Sequence, residues 1–113
     1  MSALVDVRAA LAAIADLEIV SAESRDDVAD IVRRLHRSSA GFALLLIDSS
    51  VPAMDRAMLR AAIGPLAIDR APHARIGAIE IGDGAATADV VAAAGYLAAA
   101  QSTTGQILTV TTG

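Results

Sequence analysis

The most restrictive stretch of this chain is Phe42–Ile47, six apolar residues (FALLLI) with no polar residue alternating among them. A strand with one wet face alternates, so an unbroken apolar run belongs to a strand covered on both sides, as in a parallel sheet. Any fold for the chain must therefore place helices above and below this strand. Asp48-Ser49-Ser50 ends the run. Pro52 follows near a helix start, where its missing N–H costs nothing and Ser49 or Ser50 can cap.

The flanking sequence supplies the covering layers. Leu4, Val7, Leu11 and Ile14 recur at intervals of three and four, which predicts a helix over 3–15 with Ser2 as its N-cap; a strand over 2–7 is the alternative. Residues 17–21, β-branched at Ile19 and Val20, read as a strand. Ser24 opens a second helix, with Asp26 and Asp27 over its positive end and an apolar face of Val28, Ile31, Val32 and Leu35. Arg33, Arg34, His36 and Arg37 crowd its last turn, where cations meet the negative end of the dipole, so this run reads as a helix terminus rather than a phosphate site. The helix over 52–71 contains Gly64-Pro65, a breaker worth ~3 kcal/mol, which predicts a kink or interruption near 61–64. Arg75–Ile81 alternates and is β-branched, a third strand closed by Gly82-Asp83-Gly84. Thr87 or Asp89 opens a last helix to about Ala100, apolar nearly all round and so buried on more than one side. Residues 106–111 form the final strand. Helix and strand thus alternate through one domain over 1–113, which predicts right-handed crossovers and a three-layer α/β/α sandwich. Its centre is a mostly parallel four-stranded sheet, a truncated Rossmann-like fold.

Charge and composition exclude several functions. The net charge is −4, the nine basic residues are all Arg and none forms a stripe, which argues against nucleic acid. No cysteine is present, so there is neither a disulfide framework nor thiolate chemistry. Asp6, Arg8, Asp16 and Glu18 interrupt the apolar N-terminal segment, which is neither a signal peptide nor a membrane span, and a cytoplasmic protein is expected. The absence of Lys and Asn beside 27 alanines is the bias of a GC-rich coding origin, read here as bacterial. His36 and His73 lie far apart and read as surface residues, so no metal site is expected. Glu80 sits among apolar strand neighbours. It reads as an edge or interface residue paired with an arginine, with a buried acid as the alternative.

Residues 54–82 carry a resemblance. Asp55-Arg56-Ala57-Met58-Leu59, Leu66-Ala67-Ile68-Asp69-Arg70-Ala71-Pro72 and Ala74-Arg75-Ile76-Gly77-Ala78-Ile79-Glu80-Ile81-Gly82 follow without a gap. This segment resembles the short-chain dehydrogenase/reductase family around its catalytic lysine, S-K-A-A-L, L-A-x-E-x-A-P and I-R-V-N-x-V-x-P-G. Asp89-Val90, Tyr96-Leu97-Ala98 and Thr104-Gly105-Gln106-Ile107-Leu108-Thr109-Val110 resemble that family's closing D-V-A, F-L-A-S and T-G-Q-x-L-x-V-D-G-G. The resemblance covers about 60 residues closely and 24–50 more loosely. It implies the C-terminal half of a Rossmann-type fold, strands four to seven of the family.

The departures bear on function. The family grips NAD(P) through a glycine-rich turn after its first strand, whereas Gly41 is the earliest glycine here, so no cofactor is expected for the isolated chain. The family's catalytic tyrosine position is Pro52 and its lysine position Arg56; Pro cannot ionise and Arg stays protonated. Ser50 loosely matches the catalytic serine, and a helix cap is the plainer reading. No catalytic, cofactor-binding or metal residue is therefore assigned. The resemblance further implies that the helices over 24–37 and 52–71 build one subunit interface and the last helix and strand another. Val90, Val91, Ala94, Tyr96, Leu97, Met54 and Met58 are the interface candidates. Any pocket should lie beyond the C-terminal strand ends, which points to Ser21, Ser49, Ser50, Gly82 and Asp83. The expected function is a non-catalytic, reductase-derived structural or partner subunit that forms homo-oligomers or pairs with a full-length reductase. A half-subunit completing an NAD(P)-dependent reductase and a repurposed small-molecule binder are the alternatives.

Overall fold

The computed structural model describes residues 3–100 and 102–112. Eight elements alternate along it: α1 (Ala3–Leu11), β1 (Leu17–Ala22), α2 (Val28–Arg37), β2 (Phe42–Ile47), α3 (Ala53–Arg70), β3 (Arg75–Ile81), α4 (Thr87–Ala99) and β4 (Gln106–Val110). The strands form one sheet in the order β1-β2-β3-β4, every pair parallel. All six residues of β2 are buried, as an unbroken apolar run in a central strand requires. Its side chains divide between two cores. Ala43, Leu45 and Ile47 meet Ile31 and Leu35 of α2 and Leu59, Ile63 and Leu66 of α3. Phe42, Leu44 and Leu46 meet Leu4, Val7 and Leu11 of α1 and Val90, Ala94 and Leu97 of α4.

The expectation of right-handed crossovers throughout is corrected. The strands step in one direction across the sheet, yet α2 and α3 lie on one face and α4 on the other. The crossover through α4 thus has the opposite hand to the two before it. Twist favours one hand, but burial decides: Val90, Ala94 and Leu97 of α4 join α1 over the face that carries Leu44, Leu46, Ile79 and Ile81. Gly84 and Gly105, at φ of 77° and 76°, stand at the two ends of this crossover and turn the chain where a side chain would be strained.

Other local expectations also shift. α1 stops at Leu11, since Ile14 donates its N–H to the Leu11 carbonyl in a turn. The expected cap Ser2 lies outside the described residues. α2 begins at Val28 with Asp27 at the N-cap, because the Asp26 carboxylate accepts the Glu23 N–H (2.7 Å) and holds residues 23–26 in a turn. α3 runs without interruption through Gly64-Pro65. Ala61, Gly64 and Pro65 are exposed, so the Ala61 carbonyl that loses its N–H partner turns to water, while Ile63, Leu66 and Ala67 hold the other side in the core. β3 lies between β2 and β4, so Glu80 is not at an edge. Among the described residues no helix is long and apolar enough to cross a membrane.

Candidate functional site

In a parallel sheet the strand ends that face the helix starts are where chemistry is assembled, and here those ends are largely occupied by the chain's own bonds. Asp48, one residue past β2, donates its N–H to the Ala22 carbonyl (2.9 Å) and its carboxylate accepts both the Ser50 N–H (3.1 Å) and hydroxyl (2.5 Å). The Ser50 hydroxyl in turn accepts the Ser24 N–H (3.2 Å). Ser50 thus ties two crossover loops together and does not cap α3, whose N-cap is Pro52. Ser49 is half-buried beside it. Ser21 accepts from Arg8 of α1 (3.0 Å), which also donates to the Ile19 carbonyl (3.1 Å). Gly82 donates to the Val110 carbonyl (2.7 Å); a Cβ there would stand 3.0 Å from that oxygen, so the strand ends close up only around glycine. The Asp83 carbonyl accepts the Thr112 hydroxyl (2.8 Å). The five pocket candidates therefore share one end of the sheet, but Ser21, Ser50, Gly82 and Asp83 each bond to different partners.

Three hollows lie elsewhere. One, of about 380 Å³, sits at the opposite strand ends and is lined among others by Asp16, Leu17, Phe42, His73 and Arg75. A second lies along the charged face of α2 and a third beside Ala67, Ile68 and Gly105. None includes Ser21, Ser49, Ser50, Gly82 or Asp83.

The positions matched to the family's tyrosine and lysine have structural duties. Pro52 starts α3 with φ −57°, and its carbonyl accepts the Arg56 N–H (2.9 Å). Arg56 and Arg60, one turn apart, converge on Glu80: Arg60 donates at 2.6 Å and Arg56 lies 3.6 Å away. The Glu80 side chain is 19% exposed, so the pair of guanidiniums supplies the charge that its placement beneath α3 demands. The arginine partner expected for Glu80 is present. Neither arginine is named as that partner by sequence reading, although their spacing of four places both on one helix face.

Three further contacts escape sequence reading because they join distant segments. His36 and Asp69 meet at 2.7 Å between α2 and α3. The Asp16 carboxylate accepts the Gly41 N–H (2.8 Å), with Asp16 itself at a left-handed φ of 59°. Arg75 donates to the carbonyls of Leu97, Ala98 and Ala100, each at 3.0 Å, and its guanidinium lies 4.4 Å from the Phe42 ring centre. Among the described residues no group of three or more His, Asp or Glu is placed to hold a metal.

The interface candidates divide. Val90, Ala94 and Leu97 are buried in the chain's own core beneath α1, so their assignment to an interface is corrected. Val91 is half-buried against the same core. Met54, Met58 and Tyr96 are exposed, and with them Ile68, at 79%.

A parallel four-stranded sheet between helices, built from βα units, defines the class: a Rossmann-like α/β arrangement. The family model for the SDR-like short chain dehydrogenase-like proteins matches residues 7–110. The chain belongs to that family. No curated protein and no solved structure matches it.

Proposed function

We infer that this protein is a non-catalytic member of its family that works as a self-associating structural subunit. The observation that carries this reading is the fate of the two proton-handling positions: Pro52 is a helix cap, and Arg56 is held beside Glu80 with Arg60. Neither can deliver or take up a proton near neutral pH. The loop after β1 also fits a pyrophosphate poorly. Glu23, Asp26 and Asp27 put carboxylates there, and the N–H groups of Glu23 and Ser24 are already bonded to Asp26 and Ser50.

The outer face of α3 supports self-association. Met54, Met58, Ala61, Pro65 and Ile68, spaced four, three, four and three, form a continuous exposed apolar seam, with Met54 75% and Met58 50% exposed. Beside it α2 carries Asp27 and Asp30 at its start and Arg34 and Arg37 at its end, all exposed. A second copy approaching antiparallel sets opposite charges against each other. Completion of a full-length reductase is disfavoured: it requires a strand to pair with β1, whose outer Ile19 carbonyl is taken by Arg8.

Two measurements test the reading on the purified chain. Light scattering after size exclusion is expected to give a mass above that of one chain, reduced by Met58→Glu or Ile68→Glu. Titration calorimetry with NADH and NADPH is expected to give no binding. Micromolar affinity for either, or turnover of a carbonyl compound with it, refutes the non-catalytic reading. A lone monomer at high concentration refutes self-association.

A further inference from the structure

Each helix ends where the next strand begins, so all four helix C-termini stand at the end of the sheet that holds the hollow of about 380 Å³. Helix ends of this kind present unbonded carbonyls and the negative end of the dipole. The chain sets its own cations against three of them. Arg75 donates to the Leu97, Ala98 and Ala100 carbonyls at the end of α4. Arg70 stands in the last turn of α3 and donates to the Ser38 carbonyl (2.7 Å) at the C-cap of α2. α1 is the exception. Arg8, the basic residue of its last turn, reaches away to Ile19 and Ser21 on β1, and the next charged residue along the chain, Asp16, is an anion.

Asp16 lines the hollow. Its Oδ1 accepts the Gly41 N–H (2.8 Å), which fixes the carboxylate in place, while Oδ2 has no partner among the described residues. The His73 ring also lines the hollow without a partner among the described residues, and a neutral imidazole offers one acceptor nitrogen. Ile14, Leu17 and Ala98 supply apolar groups. Arg75 brings a positive charge, but its guanidinium is directed to the α4 carbonyls and to the Phe42 ring, 4.4 Å from the ring centre. The hollow is thus short of a cation that can donate hydrogen bonds. A metal ion does not fit, because among the described residues no three His, Asp or Glu converge to ligate one.

We propose that this hollow binds a small primary amine. The ammonium group donates to Asp16 Oδ2 with the His73 ring as a second acceptor, and a short apolar body lies against Ile14, Leu17 and Ala98. The volume lies at the small end of the range for ligand sites, so the body is short. One carboxylate favours a monoamine over a diamine. A free amino acid is disfavoured, since its carboxylate would face the negative helix ends. The site lies away from the outer face of α3, so it stands or falls independently of the self-association proposed above.

Isoamylamine is the probe, titrated in phosphate buffer into the isotopically labelled full chain, with isoamyl alcohol and leucine as comparisons that share its branched body. Amide resonances of Gly41, Phe42 and His73 are expected to shift with a Kd of ~1 mM, as befits so small a ligand. The alcohol and leucine should bind at least ~5-fold more weakly, the discrimination that one exposed ion pair gives. Asp16→Asn removes the charge, keeps an oxygen for the Gly41 N–H and tolerates the left-handed φ of 59°; it should weaken the amine by a similar ~5-fold. Three results overturn the proposal: no shift of these amides at ~20 mM amine, binding of the alcohol or leucine as tight as that of the amine, or undiminished amine binding in Asp16→Asn. The comparison of the three probes on the unsubstituted chain decides the matter even if that variant does not fold.

Discussion

Arg75 makes the largest single polar contribution to this fold that can be read from its contacts. Its guanidinium reaches the carbonyls of Leu97, Ala98 and Ala100 at 3.0 Å each, the last turn of α4, and lies over Phe42 at 4.4 Å from the ring centre. The Leu97 and Ala98 carbonyls lie in the last turn, where no helical N–H follows to meet them, and a cation there also meets the negative end of the dipole; the Ala100 carbonyl at the C-cap accepts from Thr103 as well, through its N–H (2.9 Å) and hydroxyl (2.7 Å). Hydrogen bonds to a charged group contribute ~1.5–3 kcal/mol each when separate. Three from one half-buried guanidinium are not independent, and water reaches Ala99, so about 2 kcal/mol is a fair sum for them. The ring contact adds ~1 kcal/mol. Arg75→Ala should therefore cost about 3 kcal/mol, a fall in Tm of at least ~10 °C for a chain of this size. Arg75→Met separates the causes, since it keeps the apolar stem over Phe42 and loses every donor; it should still cost ~2 kcal/mol. Arg75→Lys keeps the charge without the fork and should fall between. Urea unfolding followed by circular dichroism measures all three, with an unchanged m-value required for the comparison. If Arg75→Met unfolds within ~0.5 kcal/mol of the unsubstituted chain, the carbonyl capping is not a source of stability and the reasoning fails.

Two other substitutions test local claims. Pro65→Ala returns an N–H to the Ala61 carbonyl on the exposed side of α3 and should stabilise by ~1–2 kcal/mol, the interior proline penalty less the entropy that proline removes from the unfolded chain; a thermal melt shows the sign at once. Gly41→Ala places a Cβ 2.2 Å from the Asp16 carboxylate, which must swing off the Gly41 N–H, and should cost ~1–2 kcal/mol. In an Asp16→Ala background the same change should cost almost nothing, because both substitutions remove one bond; additive effects in a double-mutant cycle would contradict the contact.

The sequence announced what is local and hid what is not. β2 and β3 were legible to the residue because an unbroken apolar run and a β-branched run each have one structural meaning. The start of α2 was not, since Ser24, Asp26 and Asp27 all resemble caps, and the choice among them was made by Asp26 turning back to Glu23. The hand of the last crossover depends on which sheet face remains bare after α2 and α3 have packed, a property of the whole molecule. The apolar roundness of α4 signalled burial correctly, but periodicity cannot say whether the cover is α1 or another chain. It was α1 for Val90, Ala94 and Leu97. At the strand ends, Ser21, Ser49, Ser50, Gly82 and Asp83 were placed together by topology alone, and topology is silent on whether side chains converge. Ser21 instead bonds Arg8 of α1, Ser50 bonds Asp48 and Ser24, and Asp83 bonds Thr112.

The distribution of apolar surface bears on where a partner would meet this chain. More than half of its residues, 55%, are hydrophobic, an excess for one small core. The excess could have been spread evenly. Instead α4, the most apolar helix, turns Val90, Ala94 and Leu97 to α1 and the sheet with Tyr96 left exposed, and α3 keeps two methionines and an isoleucine in water along one seam. Charged residues do occur on exposed positions of α3: Arg60 and Asp69 stand on either flank of the seam, directed to Glu80 and His36. Charge was thus available to this helix and was used to bind it to its own neighbours, leaving its outermost line uncharged from Met54 to Ile68. A surface serving only solubility gains from charge at those positions. Their apolar character is what a contact between copies would require.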